Sequence, residues 1–251
     1  MDISDEIIRI LRQAKHVVAL TGAGISAESG IPTFREAKTG LWSKYNPEEL
    51  ATPQAFSANP ELVWNWYRWR QEIINQTEPN PGHFALAQME SYLTEQESIF
   101  TLITQNVDGL HQQAGNQQVN ELHGNIHRSK CVDCDKIAQD NKTFIGEIPR
   151  CALCGGLLRP DVVWFGESLP QEALQTAWSA SEDCDVFFSI GTSALVQPAA
   201  SLPILALQNG ATVIEINPNP TQISNLAGFV LEGPSGYVLP QLVEKAWSVI
   251  G

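Results

Sequence analysis

The sequence predicts an α/β fold in which a parallel sheet, covered by helices on both faces, carries a smaller lobe at its side. Four short apolar runs, at residues 16–20, 99–104, 185–190 and 211–216, each pass abruptly into small or polar residues. Segments of helical length separate them, and continuous apolar strands of this kind belong to parallel sheets, which bind ligands beyond the carboxyl ends of their strands. Residues 37–82 and 126–158 do not fit such a sheet, the first rich in tryptophan and proline and the second holding four cysteines.

Taken in order, Ser4 can cap a helix whose Ile7, Ile8, Leu11 and Ala14 recur at helical spacing. The first strand runs straight into Gly22-Ala23-Gly24-Ile25-Ser26-Ala27, a match to G-x-G-x-x-G/A, where glycines let the backbone approach a pyrophosphate. The acidic residue that an ordinary dinucleotide fold places about 20 positions further on is missing. Instead Gly30-Ile31-Pro32-Thr33-Phe34-Arg35 follows, with Pro32 ending any long helix and Arg35 able to pair with a phosphate. By itself so short a pattern is equally a tight turn beside a solvated arginine.

The insertion carries Trp42, Trp64, Trp66 and Trp69. Asn59 can cap, and Pro60 open, a helix with Leu62, Val63, Trp66, Trp69 and Ile73 on one apolar face. Tyr67 and Arg70, three apart, project together from the flank of that face, while Arg68 points elsewhere. The second strand leads into Gln105-Asn106, the third into Gly191-Thr192-Ser193 and the fourth into Asn217-Pro218, so polar residues gather where a nucleotide would lie.

The cysteines stand at 131, 134, 151, 154 and 184. Cys131-x-x-Cys134 and Cys151-x-x-Cys154, with sixteen residues between, have the two-knuckle spacing of one tetrahedral zinc per chain. Four sulfur ligands leave no open position, so the metal is structural. Cys184 precedes an apolar run and reads as a buried core thiol. In a chain of 251 residues, 28 acidic against 15 basic side chains give a formal charge of −13, which argues against nucleic acid and anionic membranes as partners. A hydrophobic content of 43% supports a substantial core. No run approaches the roughly 20 apolar residues of a membrane span, and the first residues are acidic where a signal peptide is basic, so a cytoplasmic location is expected.

Gly22 to Arg35, then Thr104-Gln-Asn-Val-Asp-Gly-Leu-His111, Glu121-Leu-His-Gly124, the cysteine pairs and Gly191-Thr-Ser193 together resemble the sirtuins in order and spacing, from about residue 12 to 246. The resemblance implies a single catalytic domain, with residues 1–36, 83–125 and 159–251 as a Rossmann-like large lobe, 37–82 as a helical insertion and 126–158 as the zinc module. It implies NAD-dependent removal of acyl groups from protein lysines, NAD being consumed to give nicotinamide and acyl-ADP-ribose. His123 would be the general base toward a ribose hydroxyl. Gln105, Asn106 and Asp108 would hold the ribose and nicotinamide, with Asn106 also positioning water. Ala23, Ser26, Arg35 and Ser193 would meet the phosphates, and Phe34 would shield the reacting ribose carbon. Gly22, Gly24, Gly191 and Thr192 would line the same pocket, Asn217 would lie near the adenosine ribose and Ser235 near the adenine.

Acyl-lysine proteins or peptides would add mainly through their backbone, as a strand between residues 162–167, including Val163, Phe165 and Gly166, and residues 194–196. Tyr67-x-x-Arg70, with Thr33 before Phe34, resembles the class III sirtuins, where both residues receive the carboxylate of malonyl-, succinyl- or glutaryl-lysine. A plain deacetylase, a non-catalytic NAD or ADP-ribose sensor, and a mono-ADP-ribosyltransferase are the competing readings. The oligomeric state is not written in the sequence.

Overall fold

The computed structural model describes residues 3–32, 46–138 and 147–247. Ser4 caps α1 (Asp5–Gln13), its Oγ accepting from the Ile7 amide, with Asp5 and Glu6 at the dipole's positive end and Arg12 at the negative. Next come β1 (His16–Thr21) and the five-residue α2 (Ala23–Ala27). The insertion contributes α3 (Pro47–Leu50), α4 (Pro53–Ala58) and α5 (Pro60–Asn75). Asn59 caps α5 by accepting from Leu62, as its sequence predicts. The chain then forms α6 (Pro81–Glu95), β2 (Ile99–Thr104), α7 (Leu110–Ala114) and β3 (Val119–Glu121). An antiparallel pair follows, β4 (Gly124–Cys131) and β5 (Leu158–Val162). The remainder is α8 (Gln171–Asp183), β6 (Val186–Ile190), α9 (Leu202–Gln208), β7 (Thr212–Asn217), β8 (Phe229–Glu232) and α10 (Ser235–Trp247).

Six strands form one sheet in the order β3-β2-β1-β6-β7-β8, with every pairing parallel. Alternate residues of β1 serve opposite cores. Val17 and Ala19 pack with Leu11, Leu86, Met89 and Leu242 from α1, α6 and α10, whereas Val18 and Leu20 pack with Ala177 and Leu202 from α8 and α9. That alternation is the pleat of a strand buried on both faces. Truncating a residue such as Leu86, wholly buried, would cost roughly 2–5 kcal/mol.

The strand order reverses between β1 and β6, and the register Thr21 opposite Ile190 brings their carboxyl ends level. The crevice above a topological switch point therefore opens between the Gly22 and Gly191 turns.

A third core joins the insertion to the cysteine module. Phe56, Val63, Trp64, Trp66 and Tyr67 pack on Ile126, Leu158, Val162, Trp164, Cys131 and Cys151, so helices and hairpin form one small lobe. The face of α5 differs from its sequence expectation. Trp64, Tyr67 and Ile74 are buried, whereas Leu62, Trp69 and Ile73 are only partly so. The hairpin receives the helix along a strip turned by about one residue, and Trp64 donates its indole N–H to the Leu158 carbonyl at 2.9 Å. Cys184 is buried against the α8–α9 core. Among the described residues, no helix is long and apolar enough to cross a membrane.

Candidate active site

Two glycine turns build the floor of the crevice. The Gly22 amide donates to the Ile190 carbonyl at 3.0 Å and the Gly24 amide to the Gly191 carbonyl at 2.8 Å. A Cβ on Gly24 would meet Gly191 Cα at 2.7 Å, and one on Gly191, whose φ is +58°, would meet the Ile25 nitrogen at 2.5 Å. The sequence assigns these glycines to the approach of a pyrophosphate. In the structure their missing side chains first let the two turns touch each other. Ala23 and Ser193 stand at the mouth, Ser193 exposed and Ala23 on the rim of the turn.

Beneath the mouth lies a closed polar layer. Ser26 is buried, donates to Asp108 Oδ2 at 2.7 Å and accepts from Asn106 Nδ2 at 3.0 Å. A hydroxyl so engaged supports Asp108 and Asn106. Asn106 Nδ2 also donates to the Gly22 carbonyl at 3.1 Å. Asp108 Oδ1 accepts from the Leu110 amide, and burial raises the Asp108 pKa against these hydrogen bonds.

His83 and His111, 4.9 Å apart between ring centroids, complete the layer. The Asn80 amide donates to His83 Nδ1, which leaves the proton on Nε2, facing Ser26 Oγ at 3.5 Å. His111 Nε2 contacts Thr21 Oγ1 at 2.9 Å, and Thr21 donates to Thr104. Burial drives the His83 pKa down to about 4 and that of His111 well below its ordinary value. Neither histidine stands out by its spacing, because each finds its partners at long range; the Asn80-Pro-Gly-His83 cap hints at one, and the other closes the Thr104–His111 motif.

His123 sits between the lobes. Its Nδ1 contacts the Gln105 carbonyl at 2.9 Å; a carbonyl only accepts, so Nδ1 carries the proton and Nε2 presents a lone pair. Burial lowers its pKa, which keeps the imidazole neutral at neutral pH. The Val163 amide donates to the His123 carbonyl at 2.9 Å, tying the base to the segment after β5. Gln105 Nε2 donates to Thr192 Oγ1, and Asn217 Nδ2 to the Thr192 carbonyl, so Gln105, Thr192 and Asn217 form one wall. Among the described residues, Asn106 Oδ1 and His123 Nε2 have no hydrogen-bond partner, which leaves two acceptors available beside the glycine turns; such a set of residues fits a dinucleotide. Phe34 and Arg35 lie outside the described residues, as do Thr33 and Trp42. Ser235 is buried and donates to Glu28 Oε1 at 2.7 Å, so its hydroxyl joins the cap of α10.

Tyr67 and Arg70 lie side by side, and Tyr67 is buried. Tyr67 is 0% exposed, its ring edge-on to Trp66, and its hydroxyl accepts from the Trp164 indole at 2.9 Å. Burial pushes its pKa up to about 12. Arg70, partly buried, holds its guanidinium carbon 5.0 Å from the Trp66 ring and 5.8 Å from the Tyr67 ring, and burial lowers its pKa against the pull of Tyr67 and Asp108. Arg68 turns to Asn65 and Trp64. Trp164 lies over Arg159, whose guanidinium forms a two-pronged pair with Glu167, and Glu167 Oε2 also accepts the Trp164 amide at 2.8 Å. Phe165 and Gly166 beside it are exposed, as are Leu195 and Val196 across the gap.

The four cysteine sulfurs lie within 4.8 Å of one another, with individual separations of 3.4, 3.6 and 3.8 Å. Ligand bonds of about 2.3 Å in a tetrahedron put sulfurs about 3.8 Å apart, so the donor set fits a structural zinc.

A family model described as Sir2 family matches residues 22–198. NAD-dependent protein deacylase 2 of Pyrobaculum aerophilum is 51% identical over 236 residues, covering 94% of this chain and 93% of the relative. A solved Sir2 homolog–NAD complex superposes with a TM-score of 0.90 at 46% identity, covering 98% of this chain and 94% of that one. A mutated Sir2 homologue in complex with 2′-O-acetyl ADP ribose superposes with a TM-score of 0.88 at 46% identity, over 97% and 96% of the two chains.

Proposed function

Because the chain belongs to the Sir2 family, we propose that it removes acyl groups from lysines of cytoplasmic proteins with NAD as co-substrate, and that it prefers acidic acyl groups. The observation that carries the reading is that His123, held through Nδ1 on the Gln105 carbonyl, and Asn106, held through Nδ2 on the Gly22 carbonyl, are both fixed at the carboxyl end of β2 beside the touching glycine turns. Bound NAD would supply an electrophilic ribose carbon at which the acyl oxygen displaces nicotinamide, and one water then frees the lysine, so NAD, acyl-lysine and water give nicotinamide, free lysine and O-acyl-ADP-ribose.

The protein's part is to hold, orient and move one proton. Asn106, gripped through its Nδ2 by Gly22 and Ser26, offers Oδ1 to a nicotinamide amide or a water. Asp108 is anchored by Ser26 and Leu110, which turns the Gln105–Asp108 loop toward the ribose. His123 Nε2 accepts a ribose hydroxyl proton while its Nδ1–H on Gln105 fixes the ring and steadies the imidazolium that results. Ala23 and Ser193, with Arg35, are assigned to the phosphates, and Phe34 to shielding the ribose carbon. Gln105, Gly191, Thr192 and Asn217 line the remainder. Peptide backbone between residues 162–167 and 194–196 presents the lysine, and exposed Phe165, Leu195 and Val196 give it apolar flanks. Tyr67 and Arg70 supply donors that suit a carboxylate.

Nicotinamide release and peptide mass, followed with acetyl-, malonyl-, succinyl- and glutaryl-lysine forms of one peptide, test both levels. Turnover of the acidic forms above the acetyl form is expected. Equal rates would leave a plain deacetylase, and NAD binding without nicotinamide release from any peptide would make the chain a sensor.

A further inference from the structure

A tyrosine hydroxyl can accept hydrogen bonds and has one proton to give, whereas an indole N–H only donates. The Trp164 indole N–H, 2.9 Å from the Tyr67 oxygen, therefore fixes that oxygen as an acceptor on one side. Its own proton must point elsewhere, and among the described residues no acceptor takes it. A buried donor without a partner is costly, roughly 1–3 kcal/mol. The guanidinium facing the same ring, that of Arg70, is also a donor. Arg159, which also acts on that hydroxyl, is a further donor, and the nearby carboxylate of Glu167 is engaged by Arg159 and the Trp164 amide, so the Tyr67 proton is left for another acceptor, best of all an anionic one.

Trp164 is itself held on three sides. It is 3% exposed, its ring packs 5.3 Å from Phe56, and its amide is bound by Glu167, which the buried Arg159 secures. Burial alone would raise the Glu167 pKa, but its bonds to Arg159 and the Trp164 amide bring it below the ordinary value, so the carboxylate stays charged. The segment assigned to the peptide backbone and the helix assigned to the acyl group are joined through this one indole.

We propose that Trp164 is a specificity-determining positioning residue, which by donating to Tyr67 turns the Tyr67 hydroxyl proton toward the acyl group and so selects acyl groups ending in a carboxylate. The inference rests on the acid-reading role of Tyr67 and Arg70. Replacing indole by phenyl frees the Tyr67 oxygen, and the hydroxyl can then rotate its proton away from the substrate.

The test is a double-mutant cycle of Trp164→Phe and Tyr67→Phe, each variant checked by its melting temperature. It reads the ratio of succinyl to acetyl kcat/KM, and also the affinity of both peptides by titration calorimetry without NAD. Trp164→Phe should lower the ratio about 5- to 10-fold, the range expected for one hydrogen bond, through KM and peptide affinity with kcat little changed. In the Tyr67→Phe background the same change should add less than about twofold. An unchanged ratio in Trp164→Phe, or an equal fall in both backgrounds, overturns the proposal and makes Trp164 a packing residue. Arg70→Met is the control that separates the two levels. If Arg70→Met lowers the ratio but Trp164→Phe does not, only the positioning role fails; if neither does, the acid-reading pocket fails and takes the positioning role with it.

Discussion

The two walls of the crevice are held by different physics. On the large-lobe side, backbone hydrogen bonds between glycine turns lock the ends of β1 and β6, which lie in the middle of a six-stranded sheet buried on both faces. On the small-lobe side, a two-stranded sheet and short helices share a core of aromatic rings and cysteines. Two strands have little stability of their own, so there a metal does what neighbouring strands do opposite. The floor proposed for the chemistry is thus fixed by topology, while the wall proposed to read the substrate hangs on a metal clip and a few side-chain hydrogen bonds.

The sharpest way to break that contrast is to take out the clip. Chelation of the zinc, or Cys131→Ala, is expected to abolish activity and to expose the amides of β4 and β5 to hydrogen exchange while those of β1, β2 and β6 stay protected. Metal content and exchange by mass spectrometry read the two lobes separately. Uniform loss of protection would mean that the walls are one unit.

His123→Ala attacks the chemistry that spans the walls without removing either. General-base help is worth roughly 10²- to 10⁴-fold, so kcat should fall by that factor while NAD affinity moves only a few-fold. Single-turnover kinetics beside NAD titration checks the separation, and near-normal turnover would remove His123 from the role.

A smaller effect is expected on the reading wall. Charge-assisted hydrogen bonds contribute about 1.5–3 kcal/mol, so Arg70→Met should cost roughly 10- to 150-fold in kcat/KM on succinyl-lysine, with acetyl-lysine turnover level or raised. One shared succinyl-to-acetyl ratio in wild type and variant would mean that the wall does not read charge.

The smallest effect belongs to the buried floor and depends on pH. His83 stays neutral in the fold, its pKa held down to about 4 by burial, while an unfolded histidine titrates near 6.5. Between those values the unfolded chain binds the additional proton, so this contribution is complete above pH 6.5 and is lost as pH falls toward 4. By pH 5.5 the loss from this residue is on the order of 1 kcal/mol. His111 acts in the same direction. Urea midpoints of the large lobe between pH 7 and 5, compared with His83→Gln, should show a shallower slope in the variant.

How far these walls can be read from sequence depends on the range of the interactions that make them. Strands β1, β2, β6 and β7 are legible because each is a continuous apolar run ending in polar residues. β3 is three residues with no run, and β8 is an edge strand with Val230 exposed; neither has a pattern to detect. The cysteine spacing gives the metal cluster outright, since local knuckles set the ligand geometry. The depth of Tyr67 is another matter. Helical spacing relates Tyr67 to Arg70, but which face of α5 is buried depends on the hairpin and on Trp164, whose bond to Tyr67 spans 97 residues. The role of Ser26 escapes for the same reason, because its partner Asp108 is 82 residues distant.

The glycine contact between the two turns also limits how this chain can vary. At Gly210, with φ of +92° and no atom within 4 Å of where a Cβ would lie, a side chain would meet backbone strain but no clash, and asparagine tolerates such a φ best. Gly22, Gly24 and Gly191 press backbone to backbone, so no single substitution can be accommodated by a neighbour's rotamer, and a change at one cannot be rescued by a change at another. A library randomised at these positions and selected for folding would return glycine at all three, an island in sequence space that drift cannot leave one step at a time.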